Sequence, residues 1–205
     1  MLRIATASMQ VVREKLQALP RTHAVRVFVA EHDRILGFLD RLDDLIEEFR
    51  DEVGTPRARG VADSIATVAR NLIAAEPHHA REEEVLFPAL ERRGIALPPR
   101  IMRIEHQDLR LLMHRLEQCA SASHPDSEEI AETAGTMAAR LRDHIAKENE
   151  VLYPMALEVL DDARIWEHML PALRRIGPCE WSEDLFPEKK QDLSGNVIED
   201  VLKGN

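Results

Sequence analysis

Residues Pro77–Pro88 read PHHAREEEVLFP, and most of this pattern occurs again as HIAKENEVLYP at His144–Pro154. Each copy has a histidine, a glutamate four residues later, and then Val-Leu, an aromatic residue and proline. Side chains four residues apart are neighbours on one face of an α-helix. Each copy, if helical, therefore presents one imidazole beside one carboxylate. The two pairs are His78 with Glu82, and His144 with Glu148.

A shorter motif lies upstream of each copy. The chain reads EHDRIL from Glu31 and EHQDLR from Glu105, so a Glu-His pair precedes each longer motif. This loose internal repeat adds His32 and His106 to the candidate residues. Each half of the chain then has the same two-part pattern, which is less often accidental than one His-x-x-x-Glu pair on a helix surface.

Apolar residues recur at helical spacing through most of the chain, and no stretch has a convincing strand pattern. The spacing predicts four long helices separated by the connectors DEVGTPRARG, RGIALPPR and SASHPDSEE. We therefore predict an all-α fold, an antiparallel up-down-up-down four-helix bundle with short flanking helices. The first helix is expected to end near residue 50, and the others to span about 57–92, 99–120 and 128–159.

The segments outside the bundle are short. We assign residues 21–160 to the bundle, 1–20 to an N-terminal helical extension, and 161–205 to a short helix and an irregular C-terminal tail. Pro77 falls within the second helix, where a proline removes a backbone hydrogen bond. It is expected either to kink this helix or to start a new helical segment.

The histidines of each predicted hairpin lie at similar depths. His32 is about eighteen residues before the first connector, and His78 is about twenty-one after it. His106 and His144 are about fifteen and sixteen residues from their connector. At about 1.5 Å per residue, the two depths in each pair differ by only a few Å. Inward-facing side chains at one level are how metal sites are built in helical bundles.

Imidazoles and carboxylates together suit divalent transition metals, and a carboxylate can bridge two ions. We predict a dinuclear site in which both glutamates bridge, so that each ion receives two imidazoles and two carboxylate oxygens. The remaining positions would take an oxo or hydroxo bridge and a small ligand such as dioxygen, nitric oxide or peroxide. The predicted metal ligands are His32, His78, Glu82, His106, His144 and Glu148.

Other candidate residues are expected to have lesser roles. Ile145 and Asn149 stand where the first copy has His79 and Glu83, so we expect these two outside the ligand set, in outer contacts or on the surface. Glu31 and Glu105 could each orient a neighbouring imidazole, but solvated helix surface is the preferred interpretation for both. Core packing is preferred over a role in redox steps for Phe87 and Tyr153. Whether His79, His114 or His168 approaches the metals is left open.

At these residues the chain resembles the hemerythrin-like (HHE cation-binding) family, over about residues 21–160. The resemblance implies an antiparallel four-helix bundle around a non-haem di-iron site, at which members carry or sense dioxygen, bind nitric oxide, sense iron or help to repair iron centres. Oxygen carriers have a third-helix H-x-x-x-H and a final aspartate, where this chain has Arg110 and Glu148. The pattern is closer to bacterial hemerythrin-like and iron-centre-repair proteins. The latter typically carry a cysteine-bearing N-terminal domain, which we do not expect before Arg21.

Ferritin-like carboxylate proteins are another class of di-metal bundle. They need two Glu-x-x-His motifs and two further glutamates. Only Glu76 and His79 match this motif, and no second copy occurs. The pattern therefore favours the hemerythrin-like arrangement.

Composition restricts the partners and the location. The chain has 205 residues and a formal net charge of −10. Non-specific nucleic-acid binding needs a basic surface, and attraction to anionic lipids needs a polybasic segment, so we expect neither partner. We expect neither a signal peptide nor a membrane span. Cys119 and Cys179 form no CxxC motif and are expected to be reduced. We predict a cytoplasmic protein and leave its oligomeric state open.

These inferences support one main functional hypothesis. We predict a hemerythrin-like non-haem di-iron protein that binds O2, NO or peroxide, for sensing or for protection against oxidative or nitrosative stress. The alternative is a di-iron enzyme acting on peroxide or NO, or an iron donor in iron-sulfur cluster repair. A third possibility is a metal-sensing module whose tail, residues 177–205, contacts a partner through Trp181, Leu185 and Phe186.

Overall fold

Four helical rods form an antiparallel bundle in the computed structural model of the protein, which describes residues 18–186. The first rod is α1 (Ala24–Glu52). The second, residues 58–91, consists of α2 (Ala58–Ile73), α3 (Glu76–Arg81), the π-helical turn π1 (Glu82–Leu86) and α4 (Phe87–Glu91). The third is α5 (Leu97–Ser121). The fourth, residues 127–159, consists of α6 (Ser127–Lys147), π2 (Glu148–Leu152) and α7 (Tyr153–Val159). Helix α8 (Ala163–Ile176) and a 3-10 turn (Glu183–Leu185) follow.

Each rod packs against the rod before it in the chain, and the fourth also packs against the first. Connectors of five residues join the rods, which is too short to return the chain to its starting end. The predicted all-α, up-down-up-down bundle is confirmed, and every regular element within residues 18–186 is helical. Residues 1–17 of the predicted extension and 187–205 of the predicted tail lie outside the described residues. No helix among those described is long and apolar enough to cross a bilayer.

Two clusters of buried apolar side chains fill the bundle, with a layer of buried polar residues between them. One cluster includes Leu42 and Ile65, near the first connector. The other includes Phe28 and Tyr153, and Trp166 of α8 covers it. Full burial of one such apolar side chain stabilises the fold by about 1.5–3 kcal/mol. The two clusters thus enclose the polar layer and contribute to the stability of the bundle around it.

Both copies of the repeated motif contain a π-helical turn, a feature that helical periodicity does not predict. The backbone N–H of the aromatic residue donates to a carbonyl five residues earlier, from Phe87 to Glu82 and from Tyr153 to Glu148. A proline follows each aromatic residue. Because proline has no N–H and its ring crowds the carbonyl four residues earlier, a wider turn relieves the helix at this point. Each turn begins at a glutamate of the predicted metal site.

Pro77 starts a new helical segment, one of the two outcomes expected from the sequence. α2 ends at Ile73 and α3 begins at Glu76, so Pro77 lies in the first turn of α3. The missing N–H costs nothing there, because first-turn amides have no partner within their own helix.

Candidate metal centre

The polar layer contains all six predicted ligand residues. They come from all four rods, and none has more than 2% of its surface exposed. Burying this many ionisable groups is costly unless they are paired with one another or with a metal. The six are His32 from α1, His78 and Glu82 from the second rod, His106 from α5, and His144 and Glu148 from the fourth rod.

The imidazoles form two pairs, and Glu148 lies between them. The Nε2 atoms of His32 and His78 are 3.1 Å apart, and the rings of His106 and His144 meet edge to face with centroids 4.7 Å apart. One oxygen of Glu148 lies 3.1 Å from Nε2 of His32. Its other oxygen lies 3.0 Å from Nε2 of His144 and 3.6 Å from Nε2 of His106. Glu148 thus faces both pairs, as a bridging carboxylate must.

Glu82 also faces both pairs, from the second rod. Its Oε2 is 3.6 Å from Nε2 of His78 and 3.5 Å from Nε2 of His106. Its Oε1 accepts a hydrogen bond of 2.7 Å from the hydroxyl of Tyr153. Burial, followed by the charge of the neighbouring Glu148, raises the pKa of Glu82 well above its ordinary value. The charge of Glu148 therefore disfavours the ionisation of Glu82.

The two carboxyl groups differ in their surroundings. Burial by itself would raise the pKa of Glu148, but the surrounding imidazoles, His144 foremost, hold it well below its ordinary value. Burial and the nearby glutamates raise the pKa of Tyr153, so its phenol keeps its proton. Glu82 differs from Glu148 in that it accepts a hydrogen bond from this phenol.

Each of the four imidazoles has its Nδ1 occupied by an outer acceptor. A neutral imidazole carries one ring proton, so donation from Nδ1 leaves Nε2 with a lone pair directed into the layer. Metal-ligating histidines usually have such an outer partner, which orients the ring and raises its basicity. The hydrogen bonds are His78 to Glu31 at 2.9 Å, His144 to Glu105 at 2.8 Å, His106 to Glu83 at 2.7 Å and His32 to Asn149 at 2.9 Å.

The donor atoms fit a pair of metal ions. Neighbouring ligands bound at about 2.1 Å and at right angles lie about 3.0 Å apart, close to several of the distances between these nitrogens and oxygens. Within residues 18–186, buried atoms without a hydrogen-bond partner include Oε2 of Glu82, both Glu148 oxygens, and Nε2 of His106 and of His144. Such atoms in a native protein call for an ion or a proton. His32, His78 and Glu148 also form one group with mutual donor distances within 4.8 Å, and Glu82, His106 and Glu148 another.

The predicted solvated position of Glu31 is wrong. Its side chain is fully buried, and besides His78 it accepts hydrogen bonds from Arg81 at 2.6 and 2.7 Å and from Ser182 at 2.7 Å. The reason is tertiary: residues 177–186 fold back over this side of the bundle. Trp181 of this segment packs on Phe38 and donates to a backbone carbonyl of the second rod.

Glu105 also contacts the site, although a quarter of its side chain is exposed. Besides His144, it accepts a hydrogen bond of 2.6 Å from Lys147. Lys147 and Arg81 occupy equivalent positions in the two copies of the motif. The internal repeat therefore extends to the residues that contact the ligand histidines from outside the cluster. The sequence signal for these contacts was the Glu-His pair and the basic residue that both halves share.

Three other histidines were left open by the sequence. His79 lies within the polar layer, only 3% exposed, and its ring faces that of His106 with centroids 4.1 Å apart. His114 and His168 are exposed, and the Nδ1 of His168 bonds to a carbonyl of its own helix. Only His79 of the three approaches the predicted ligands. The core positions expected for Phe87 and Tyr153 are observed, and both rings stack on site imidazoles.

Comparison with protein families provides the deciding observation. The model of the hemerythrin HHE cation binding domain matches residues 23–156, more than half of the chain. The chain belongs to this family. The match to the hemerythrin domain contains all six residues of the cluster and both π-helical turns. No curated protein matches the chain. The cation-binding character of the family agrees with the convergence of imidazole and carboxylate donors in the polar layer of this hemerythrin domain.

Proposed function

We propose that this hemerythrin domain holds two non-haem iron ions, joined by an oxo or hydroxo bridge, and binds a small ligand at an open position. One observation carries the proposal: four imidazole nitrogens and two carboxylates, each imidazole oriented by an outer partner, converge in a layer that apolar side chains enclose. The proposed ligands are His32, His78, Glu82, His106, His144 and Glu148.

The choice of iron rests on the donor set. His32, His78 and Glu148 form a group of two imidazoles and one carboxylate, and such a set with open positions is typical of non-haem Fe(II). The six ligands come from four rods and include no thiolate, which argues against a soft-metal site. Glu82 and Glu148 each face both imidazole pairs, which supports two ions rather than one.

The surroundings favour a small ligand. None of the six side chains is more than 2% exposed, and Phe28, Phe87 and Tyr153 form apolar walls beside the imidazoles. A bulky substrate has no path to donors that are buried in this way, whereas O2, NO or peroxide is small enough to diffuse through a packed interior. Bound iron would supply the redox change and the position at which such a molecule binds.

We further propose that the protein is cytoplasmic and uses this site in sensing, or in protection against oxidative or nitrosative stress. The net charge of −10 supports the absence of nucleic-acid and membrane partners. Residues 177–186 pack on the bundle through Trp181 and Ser182, which supports a structural role for this part of the tail rather than contact with a partner.

Metal analysis and spectroscopy of the purified protein test the proposal. We expect about two irons per chain, and charge-transfer absorption from an oxygen bridge in the oxidised protein. A folded protein that holds only zinc, or no metal when loaded with iron, would refute it. Mixing the reduced protein with O2, NO or peroxide in a stopped-flow instrument distinguishes reversible binding from turnover. Turnover of peroxide or NO would instead support the enzyme alternative. His114→Ala is the matched control, because this histidine is exposed.

A further inference from the structure

We propose that His79 is an additional metal ligand, which supplies a third imidazole to the ion held by His106 and His144. This inference rests on the proposed di-iron centre and deepens it, because the two ions then have different ligand sets.

The first observation is an unsatisfied buried nitrogen. His79 is 3% exposed, and its Nδ1 is buried without a hydrogen-bond partner. The nearest acidic group is Glu76, whose carboxylate oxygen lies 3.9 Å from Nδ1, too far for a hydrogen bond. Nδ1 of each proposed ligand histidine has an outer acceptor, whereas this buried nitrogen of His79 has none within hydrogen-bond distance and is available to a cation.

The second observation is the position of the ring. A ring nitrogen of His79 lies within 4.8 Å of ring nitrogens of both His106 and His144. Ligand atoms on one ion with bonds of about 2.1 Å are separated by about 3.0 to 4.2 Å, so a small displacement brings the three nitrogens onto one ion. The ring is stacked on His106 with 24° between the planes. Ligation therefore requires a rotation of the His79 ring about χ2, a terminal torsion with a broad preference.

The third observation comes from the repeat. Ile145 occupies the equivalent position in the second copy and belongs to an apolar cluster, with 3% of its surface exposed. Packing at this position is therefore satisfied by a branched aliphatic residue and does not require histidine.

The third rod supplies no competing ligand at this end of the site. Arg110 lies one turn after His106, where a side chain would share the face of the helix. Its guanidinium instead bonds to Glu76 at 2.7 Å and pairs with Glu83 at 3.0 Å. A third imidazole for the ion at His106 and His144 must therefore come from another rod, and His79 is placed to provide it.

The test compares wild-type protein with His79→Ile, which copies the residue found in the second half. Anaerobic titration with Fe(II) measures the affinity of each ion, and Mössbauer spectra of the 57Fe-loaded protein measure how many iron environments exist. We expect two distinct environments in the wild type. In His79→Ile we expect one ion to bind unchanged and the other to bind at least about tenfold more weakly, with a changed signal for that iron alone.

Stability of the metal-free protein distinguishes a ligand from a structural residue. A histidine kept for metal binding leaves an unsatisfied nitrogen in the metal-free fold, so His79→Ile should melt at the same temperature or higher. His79→Gln, of similar length, should show the same selective loss of one ion. Equal affinities and equal spectra in wild type and both variants would overturn the inference while leaving the di-iron centre intact. Equal weakening of both ions would also overturn it. A wild type that binds no iron would refute the proposed function itself.

Discussion

Replacing Glu31 by glutamine tests how much the burial of the outer contacts contributes to stability, because Glu105 is a matched control. Glu31 pairs with Arg81 at 2.6 Å, and both side chains are at most 1% exposed. Glu105 pairs with Lys147 at the same distance, but these side chains are 25% and 41% exposed. Removing one partner of a buried pair costs about 3–5 kcal/mol, since it leaves a buried charge. Disrupting a solvated pair costs about 0–1 kcal/mol.

The ionisation of Glu31 gives a second estimate of the same quantity. Burial alone would raise its pKa, but hydrogen bonds and charges from His78 and Arg81 outweigh burial and hold the pKa at about 2, against 4.5 ordinarily. This difference corresponds to about 3 kcal/mol. A lowered carboxyl pKa adds stability above the unfolded value and loses it as the pH falls toward the folded value. At pH 7 this contribution is therefore fully present.

Urea unfolding of the metal-free protein at pH 7, followed by circular dichroism, measures the effect. With a slope of about 2 kcal/mol per molar urea, Glu31→Gln should lower the midpoint by about 1.5–2.5 M, and Glu105→Gln by about 0.5 M or less. Adding Arg81→Met to Glu31→Gln should recover part of the loss, because it removes the unpaired guanidinium. Equal shifts for Glu31→Gln and Glu105→Gln would refute the reasoning, since only the first variant leaves a fully buried charge without its partner.

Three further predictions concern the metals and their surroundings. His78→Ala and His144→Ala should each reduce iron content to about one ion per chain or less, measured by elemental analysis, and full occupancy in either variant would contradict the ligand assignment. Tyr153→Phe removes the hydrogen bond to Glu82 but keeps the ring, and the first copy has phenylalanine at this position. It should lower the free energy of unfolding of the metal-free protein by about 1–3 kcal/mol in urea titrations, and an unchanged midpoint would count against the bond. Chelation of the iron should lower the melting temperature by about 8–16 °C, for about 4 kcal/mol of binding linkage, and calorimetry that detects no change would argue against tight binding.

The two halves of the centre have the same arrangement of contacts but differ in some of their residues. In each half, the glutamate of a Glu-His pair orients the histidine of the opposite His-x-x-x-Glu motif, and a basic residue pairs with that glutamate. The halves differ where His79 replaces isoleucine and where Tyr153 replaces phenylalanine. His79 lies beside one imidazole pair and Tyr153 beside the other. The repeated residues therefore form the site, and the positions at which the two copies differ give its two ends different surroundings.

The residues of the cluster were predictable because their signal is local and doubled. His78 and Glu82 share a helix face through spacing alone, and the second copy distinguishes them from their neighbours. His79 was not predictable in the same way. Comparison of the copies identified it as an exception, but only the packing of the rods shows that its ring lies against His106 rather than in solvent.

Helical periodicity, short connectors and the internal repeat are properties of neighbouring residues, and from them alone follow the four-helix bundle and its six inward-facing donors. The burial of Glu31, by contrast, depends on contacts between distant segments. Ser182 reaches Glu31 from a segment about 150 positions away, and no spacing rule within one helix can express that contact. Spacing along a helix determines which side chains share a face. Packing between the rods, and of the C-terminal segment on the bundle, determines which residues each face contacts.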